Sequence, residues 1–170
     1  TLDWNVRAQR AFEKAGFLKA QRMVEVPWQD YVTIPDVTLI PSDTNVTVMD
    51  VVSNTALQAA QGSVVTDESG TRRAVLMIPA GVSASIITHE GATQQVSQLT
   101  IRLTEYTVGS NGPSAMPAEL PPTVAYTYCV ELGSEETQAK VAGKDVLLST
   151  QVFFYVENFL GMPVGAQVPT

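Results

Sequence analysis

His89 and Cys129 are the single histidine and the single cysteine of this 170-residue chain, so nucleophilic Cys/His chemistry is the first possibility to weigh. Cys129 alternates within a strand-like segment, where a small buried thiol is the ordinary reading. His89 stands before Glu90-Gly91 in a turn and reads as solvated. A zinc site would need two or more carboxylates beside these two groups, so no metal is expected there. Asp36, Asp43, Asp50, Asp67 and Glu68 fall in or near loops and offer calcium-type oxygen donors. They lack the alternate spacing of an EF-hand loop and read as turn-forming residues. Glu135 and Glu136 are adjacent, hence splayed apart, and cannot flank a glycosidic bond by themselves. Gly109-Ser110-Asn111-Gly112 has neither the lysine nor the following helix of a phosphate cradle. Asn45-Val46-Thr47 fits a glycosylation sequon, a triplet common by chance. No catalytic residue, metal or cofactor is therefore expected, and the chain does not read as an enzyme. The remaining candidates are aromatic: Trp28, Tyr31 and Tyr106 would form a glycan or receptor platform if exposed together. For Trp28 the competing reading is a plug over the edge of the core.

Composition narrows the partners. The formal net charge is −7, and the ten Lys and Arg residues are scattered. Nucleic-acid binding needs a basic stripe that displaces counterions, and none is visible. No run of about 18 apolar residues is present to span a membrane. The opening residues do not read as a secretion signal, and a start at Thr1 instead of Met is expected of a chain cut from a longer product. One cysteine allows no internal disulfide and leaves the compartment open. A chain of this length buries about 70% of its unfolded surface, enough for one good core.

The elements that must hold these residues read as strands. Arg72 to Thr107 is the organising stretch. Ala74-Val75-Leu76-Met77-Ile78 is a short apolar run stopped by Pro79-Ala80-Gly81, which suits a strand covered on both faces. Val82, Ala84 and Ile86 then alternate with Ser83, Ser85 and Ile87. Leu99, Ile101 and Leu103 alternate with Thr100, Arg102 and Thr104, a register that a one-residue slip would turn inside out. The expectation is a three-stranded meander. Asp67 to Gly70 reads as a hairpin turn with Gly70 left-handed, pairing Val64-Val65 with Ala74 to Leu76. Strands are also expected at Leu2–Val6, Phe12–Lys14, Arg22–Val26, Val46–Val51 and Ala125–Leu132. The Ala- and Gln-rich segment Asn54–Gly62 reads as loop or one helical turn. Three prolines between Met116 and Pro122 favour an extended crossing. Ser134 is placed to cap a short helix with Glu135 and Glu136 in its first turn, closed by Gly143. Val146 to Val156 reads as one long strand, apolar on both faces and hence central. The strand-rich ends, Leu2–Val6 and Val164–Val168, could donate an edge strand to a second copy. The fold class is all-β, an antiparallel β-sandwich.

Several segments together resemble the region upstream of the repeats in large bacterial Rhs/YD-repeat proteins. They are Lys14-Ala15-Gly16-Phe17-Leu18, Val26-Pro27-Trp28-Gln29-Asp30-Tyr31, Thr104-Glu105-Tyr106-Thr107-Val108-Gly109, Ala115-Met116-Pro117-Ala118-Glu119-Leu120-Pro121-Pro122 and Phe154-Tyr155-Val156-Glu157-Asn158-Phe159-Leu160-Gly161. As a set they run over nearly the whole chain. Phe12 to Phe17 also resembles the last strands of carboxypeptidase-regulatory-like, transthyretin-like sandwiches. The strand–Pro-Ala-Gly–strand pattern of Ala74 to Ile86 is similar to the β-sandwich of ankyrins and netrin receptors. The only histidine is followed by Glu90-Gly91, so the self-cleavage known in some of that group is not expected. The resemblance implies two units, 1–40 closing a carboxypeptidase-regulatory-like sandwich and 41–170 forming an ankyrin/netrin-receptor-like sandwich before YD repeats. It further implies a secreted or cell-surface setting, a chain that continues beyond Thr170, and a non-catalytic structural or anchoring role. The partner would be the YD-repeat shell, which can enclose a toxin, or neighbouring domains of the same polypeptide.

Overall fold

The computed structural model describes residues 15–18, 28, 31–33, 38–88, 90–109, 115–116, 128–137 and 143–167. Among them the chain is all-β. The strands are β1 (Thr47–Asp50), β2 (Gln58–Gln61), β3 (Val65–Asp67), β4 (Gly70–Arg72), β5 (Ala74–Ile78), β6 (Ala84–Thr88), β7 (Thr93–Val96), β8 (Gln98–Glu105), β9 (Val130–Ser134), β10 (Gly143–Leu148) and β11 (Phe153–Val156). They form three antiparallel three-stranded sheets, ordered β1-β8-β9, β10-β6-β7 and β11-β5-β2, and the hairpin β3-β4.

The organising stretch is not a meander. Three of its strands, β5, β6 and β8, each take the middle of a different sheet, and β7 pairs only with β6. Pro79 explains the first separation: it ends β5 as expected, and the turn through Gly81 (φ 77°) sends the chain off into another sheet. Asn54 pins that corner, its side-chain amide donating to the Pro79 carbonyl (2.7 Å) and its own carbonyl accepting from Gly81 N–H (2.9 Å).

The expected long strand Val146–Val156 follows the same corner from outside. Leu147 pairs with Ser85 and Leu148 with Ala84; after the bend at Ser149 and Thr150, Phe153 pairs with Met77 and Val156 with Ala74. Ser149 N–H still donates to the Ser83 carbonyl (2.9 Å), so the two ribbons turn the corner together. Strands that bend from one sheet into another make the corners of layered β-folds. β10 and β11 are consequently edge strands, not a central one, and Phe153, Phe154 and Tyr155 stay well exposed.

Four further expectations change. Val65 pairs with Arg72 in the short β3-β4 hairpin, with Gly70 (φ 126°) at the turn, while β5 takes β2 and β11 as its neighbours. Residues 58–61 are strand β2, neither loop nor helical turn: they pair with β5, and Ala60 stands beside Leu76 in the core. Gly143 opens β10 where a helix end was expected; the capped turn itself is a 3-10 turn, Glu135–Thr137. Residues 164–167 form no strand. The expected strands at 2–6, 12–14 and 22–26, and most of the 116–122 crossing, lie outside the described residues. Residues 16–18 pair antiparallel with 40–42, through Leu18 N–H to Ile40 O (2.8 Å) and Ser42 N–H to Gly16 O (2.7 Å).

One core serves the three large sheets. Met49 of β1, Ala60 of β2, Leu76 and Ile78 of β5, Ala84 of β6 and Leu99, Ile101 and Leu103 of β8 form a single buried cluster. Each large apolar side chain removed from water there contributes about 1.5–3 kcal/mol. The alternations expected for β6 and β8 hold: Val82, Ala84 and Ile86 are buried, as are Leu99, Ile101 and Leu103. Gly62, just after β2, passes so close to β8 that an added Cβ would lie 2.8 Å from the Leu103 carbonyl oxygen.

Candidate functional site: the Arg72 cluster and the exposed aromatics

The core parity of β8 runs Leu99, Ile101, Leu103 and then Glu105, so the fourth inward position carries a carboxylate. Arg72 likewise shares the parity of Ala74, Leu76 and Ile78. These two side chains meet. Arg72, 2% exposed, donates from Nε to Glu105 Oε1 (2.8 Å), and its Nη2 lies 2.7 Å from the same oxygen. Its Nη1 and Nη2 grip both oxygens of Asp67 at 2.8 Å each, the bidentate geometry that suits a guanidinium. Nη2 also donates to the Thr107 carbonyl (3.2 Å), and the Thr107 hydroxyl donates to Glu105 Oε1 (2.6 Å). The guanidinium carbon stands 4.6 Å from the centre of the Phe159 ring, a cation–π contact. One arginine thus ties the β3-β4 hairpin, the end of β8 and the segment after β11.

The electrostatics follow from these contacts. The Arg72 hydrogen bonds hold the Asp67 carboxyl well below the usual carboxylate range, against partial desolvation. Asp67, and then Glu105, push the Arg72 guanidinium further up. Glu105 Oε2 is buried and accepts no hydrogen bond, so the cluster depends on its cation.

Beside it, Leu39, Ile40 and Pro41 face Leu103, Glu105 and Tyr128 around an open hollow of about 530 Å³. Asp43, also on its rim, accepts from Ser63 N–H (2.6 Å), the Ser63 hydroxyl (2.7 Å) and Asn45 N–H (2.8 Å). Glu105 Oε2 is buried, so that oxygen does not open into the hollow.

Of the acids weighed as calcium ligands, Asp43, Asp50 and Asp67 are engaged in turns or an ion pair. Asp50 accepts from the Ser53 and Val52 amides (2.8 Å each), which lower its pKa. Burial works to raise Glu136, but the Ser134 hydroxyl and Thr100 N–H outweigh it and leave the carboxyl lowered. Glu135 pairs with Arg102 Nη2 (2.7 Å). Among the described residues no group of three or more His, Cys, Asp or Glu is placed to hold a metal ion. Asp36 and His89 lie outside the described residues. Cys129 is half-buried, and burial, then Glu131, push its thiol up, opposite to the activation a nucleophile needs.

The three aromatic candidates are not exposed together. Trp28 is 89% exposed and Tyr31 86%, so Trp28 plugs no core edge. Tyr106 is 3% exposed, with its N–H on the Cys129 carbonyl (2.9 Å) and its hydroxyl donating to Glu131 (3.3 Å). Burial, reinforced by Glu131, pushes its phenol up. Tyr106 therefore belongs to the interior: it directly follows β8, and Leu103 to Tyr106 are all covered. The exposed aromatics that the sequence reading missed are on β11. Its apolar run reads in the sequence as a covered central strand, and only the sheet order exposes it.

No helix among the described residues is long and apolar enough to cross a membrane. No protein-family model, curated protein or solved structure matches this chain.

Proposed function

We propose that this chain is a non-catalytic structural module of a large exported Rhs/YD-repeat-type protein, an antiparallel β-sandwich that anchors or supports the repeat shell. The observation that carries this reading is the commitment of the polar groups. Asp43, Asp50, Asp67, Glu105, Glu135 and Glu136 each serve a turn, an ion pair or a strand end, which is the use a load-sharing module makes of its acids. The similarity of the motif set to the segment ahead of YD repeats supplies the family context, the extracellular or cell-surface setting and the partner, the shell or neighbouring domains of the same polypeptide. The β-sandwich of ankyrin/netrin-receptor type, preceded by a transthyretin-like strand pair in 1–40, belongs to the same reading. Sequencing its gene beyond the codon for Thr170, and joining this segment to whatever is encoded there, tests it. YD repeats there, with β-strand amides of this module gaining protection in the joined protein, would support the role. A following sequence without YD repeats, or a module whose exchange is unchanged by them, would end it.

A second reading, a glycan- or receptor-binding face, is favoured by one observation, the exposure of Trp28 and Tyr31. Quenching of Trp28 emission by a glycan panel, lost in Trp28→Ala, would support it; no quenching would remove it.

A further inference from the structure

Among the described residues, β1, β9, β10, β7, β11 and β2 edge the three large sheets, and of these β11 alone carries no charge, bulge or side-chain cover that discourages pairing. β7 is Thr93-Gln94-Gln95-Val96 and wholly polar but for its last residue; β10 includes Lys144 and Asp145 with a register shift between Gly143 and Asp145. β9 has Glu131 and Gly133, and β1 ends in Asp50. β2 is closed off by the Gln58 side chain, which accepts from Asp50 N–H (3.0 Å) and donates to the Asp50 carbonyl (2.7 Å). Natural sheets block their edges with such charges, bulges and covers. β11 reads Phe-Phe-Tyr-Val, and Phe153, Phe154 and Tyr155 are 59%, 44% and 51% exposed. Phe153 and Tyr155 lie on the outer face, opposite Met77 and Val75; Phe154 lies on the core face opposite Leu76 and stacks on Tyr128 at 6.2 Å.

We propose that β11 is a self-pairing edge, and that two copies of this chain join their β11-β5-β2 sheets antiparallel about a twofold axis at Phe154. The sequence around the edge fits its own reverse. With Phe154 on the axis, Phe153 faces Tyr155 of the second copy and Val152 faces Val156, so apolar meets apolar at every step. Gln151 faces Glu157, so no like charges oppose each other, and Glu157 is already held by Arg73 (N–H to Oε2, 2.7 Å). Opposed residues share a face, so Phe153 and Tyr155 of the two copies make one strip of four outer aromatics. An isologous interface requires this kind of self-complementarity. The inference goes beyond the anchoring role and does not depend on the family context.

A strand pair this short buries less than a standard interface, so assembly is expected at about 0.1–1 mM. The net charge of −7 on each copy opposes it. Raising salt from about 10 mM to about 150 mM, which shortens the screening length from about 30 Å to about 8 Å, is therefore expected to increase the dimer. Sedimentation velocity of the whole chain over these ranges reads this directly. The result expected is a monomer–dimer equilibrium that Phe153→Lys and Tyr155→Lys shift to monomer with unchanged thermal melting. Register is read separately in a Cys129→Ser background. Diamide oxidation of a mixture of Phe153→Cys and Tyr155→Cys chains should give several-fold more crosslinked dimer than either variant alone. A monomer at every concentration and salt overturns the proposal and leaves the edge to a strand of another protein. A dimer that survives both lysine variants, or crosslinks without regard to register, overturns it as well.

Discussion

Replacing Arg72 by Met tests how the fold is tied together. Met keeps most of the buried volume but removes the cation from a carboxylate whose side chain is 5% exposed. Glu105 already has one buried oxygen without a partner; in the variant the other keeps only the Thr107 hydroxyl. Removing one partner of a buried ion pair costs about 3–5 kcal/mol, because the remaining charge stays desolvated. The lost cation–π contact with Phe159 adds about 0.5–1 kcal/mol. Against a total stability of about 5–15 kcal/mol, this is a large fraction. For a domain of this size each kcal/mol moves the melting midpoint by about 2–4 °C, so a fall of roughly 7–24 °C is expected. Urea titration and calorimetry of the wild type and Arg72→Met, Glu105→Gln and the double variant form a thermodynamic cycle. The double variant is expected to recover at least about 1 kcal/mol of the loss, since a neutral amide is cheaper to leave buried. A single variant within about 1 kcal/mol of wild type, or a double variant no better than Arg72→Met, would refute the reasoning.

Gly62→Ala is expected to cost about 1–3 kcal/mol in urea unfolding, because its Cβ would meet the Leu103 carbonyl, a backbone atom that cannot swing away; unchanged stability would mean β2 and β8 are not that close. Asp67 has a lowered folded pKa, so its contribution is full above the unfolded value of about 3.9 and is lost as pH falls below it toward the depressed folded value. Acid titration of Asp67→Asn should accordingly show a shallower loss of stability below about pH 4 than the wild type. Tyr106 and Tyr128 have raised folded pKa values, caused first by burial, so their contribution is full below the unfolded value of about 10 and is lost as pH rises beyond it. Absorbance at the phenolate band should show them ionising together with alkaline unfolding, whereas smooth ionisation in a folded chain would contradict their burial.

Local pattern carried the strands whose two faces differ. The alternations at Val82–Ile86 and Leu99–Leu103 and the Pro79 stop were legible because each is written within a few residues. Sheet membership was not, because it depends on pairings such as Val156 with Ala74, far apart in sequence. The apolar run Val152–Val156 looks the same whether a strand is central or ends a sheet beyond a bend. The Arg72–Glu105 pair was legible in principle: extending the parity of Leu103 to Glu105, and of Ala74 back to Arg72, puts one charge of each sign inside. Tyr106 was misplaced because an aromatic beside a loop reads equally as platform or interior, and its hydroxyl partner, Glu131, is 25 residues away.

β5, β6 and β8 each centre a sheet while sharing one core. Native-state hydrogen exchange of the whole chain, followed residue by residue at low concentration, measures this most directly. The amides of all three strands are expected to exchange slowest and with a common free energy of opening, while the outward amides of β11 exchange orders of magnitude faster. A β10-β6-β7 sheet that opens independently, well below the free energy of β5 and β8, would contradict it.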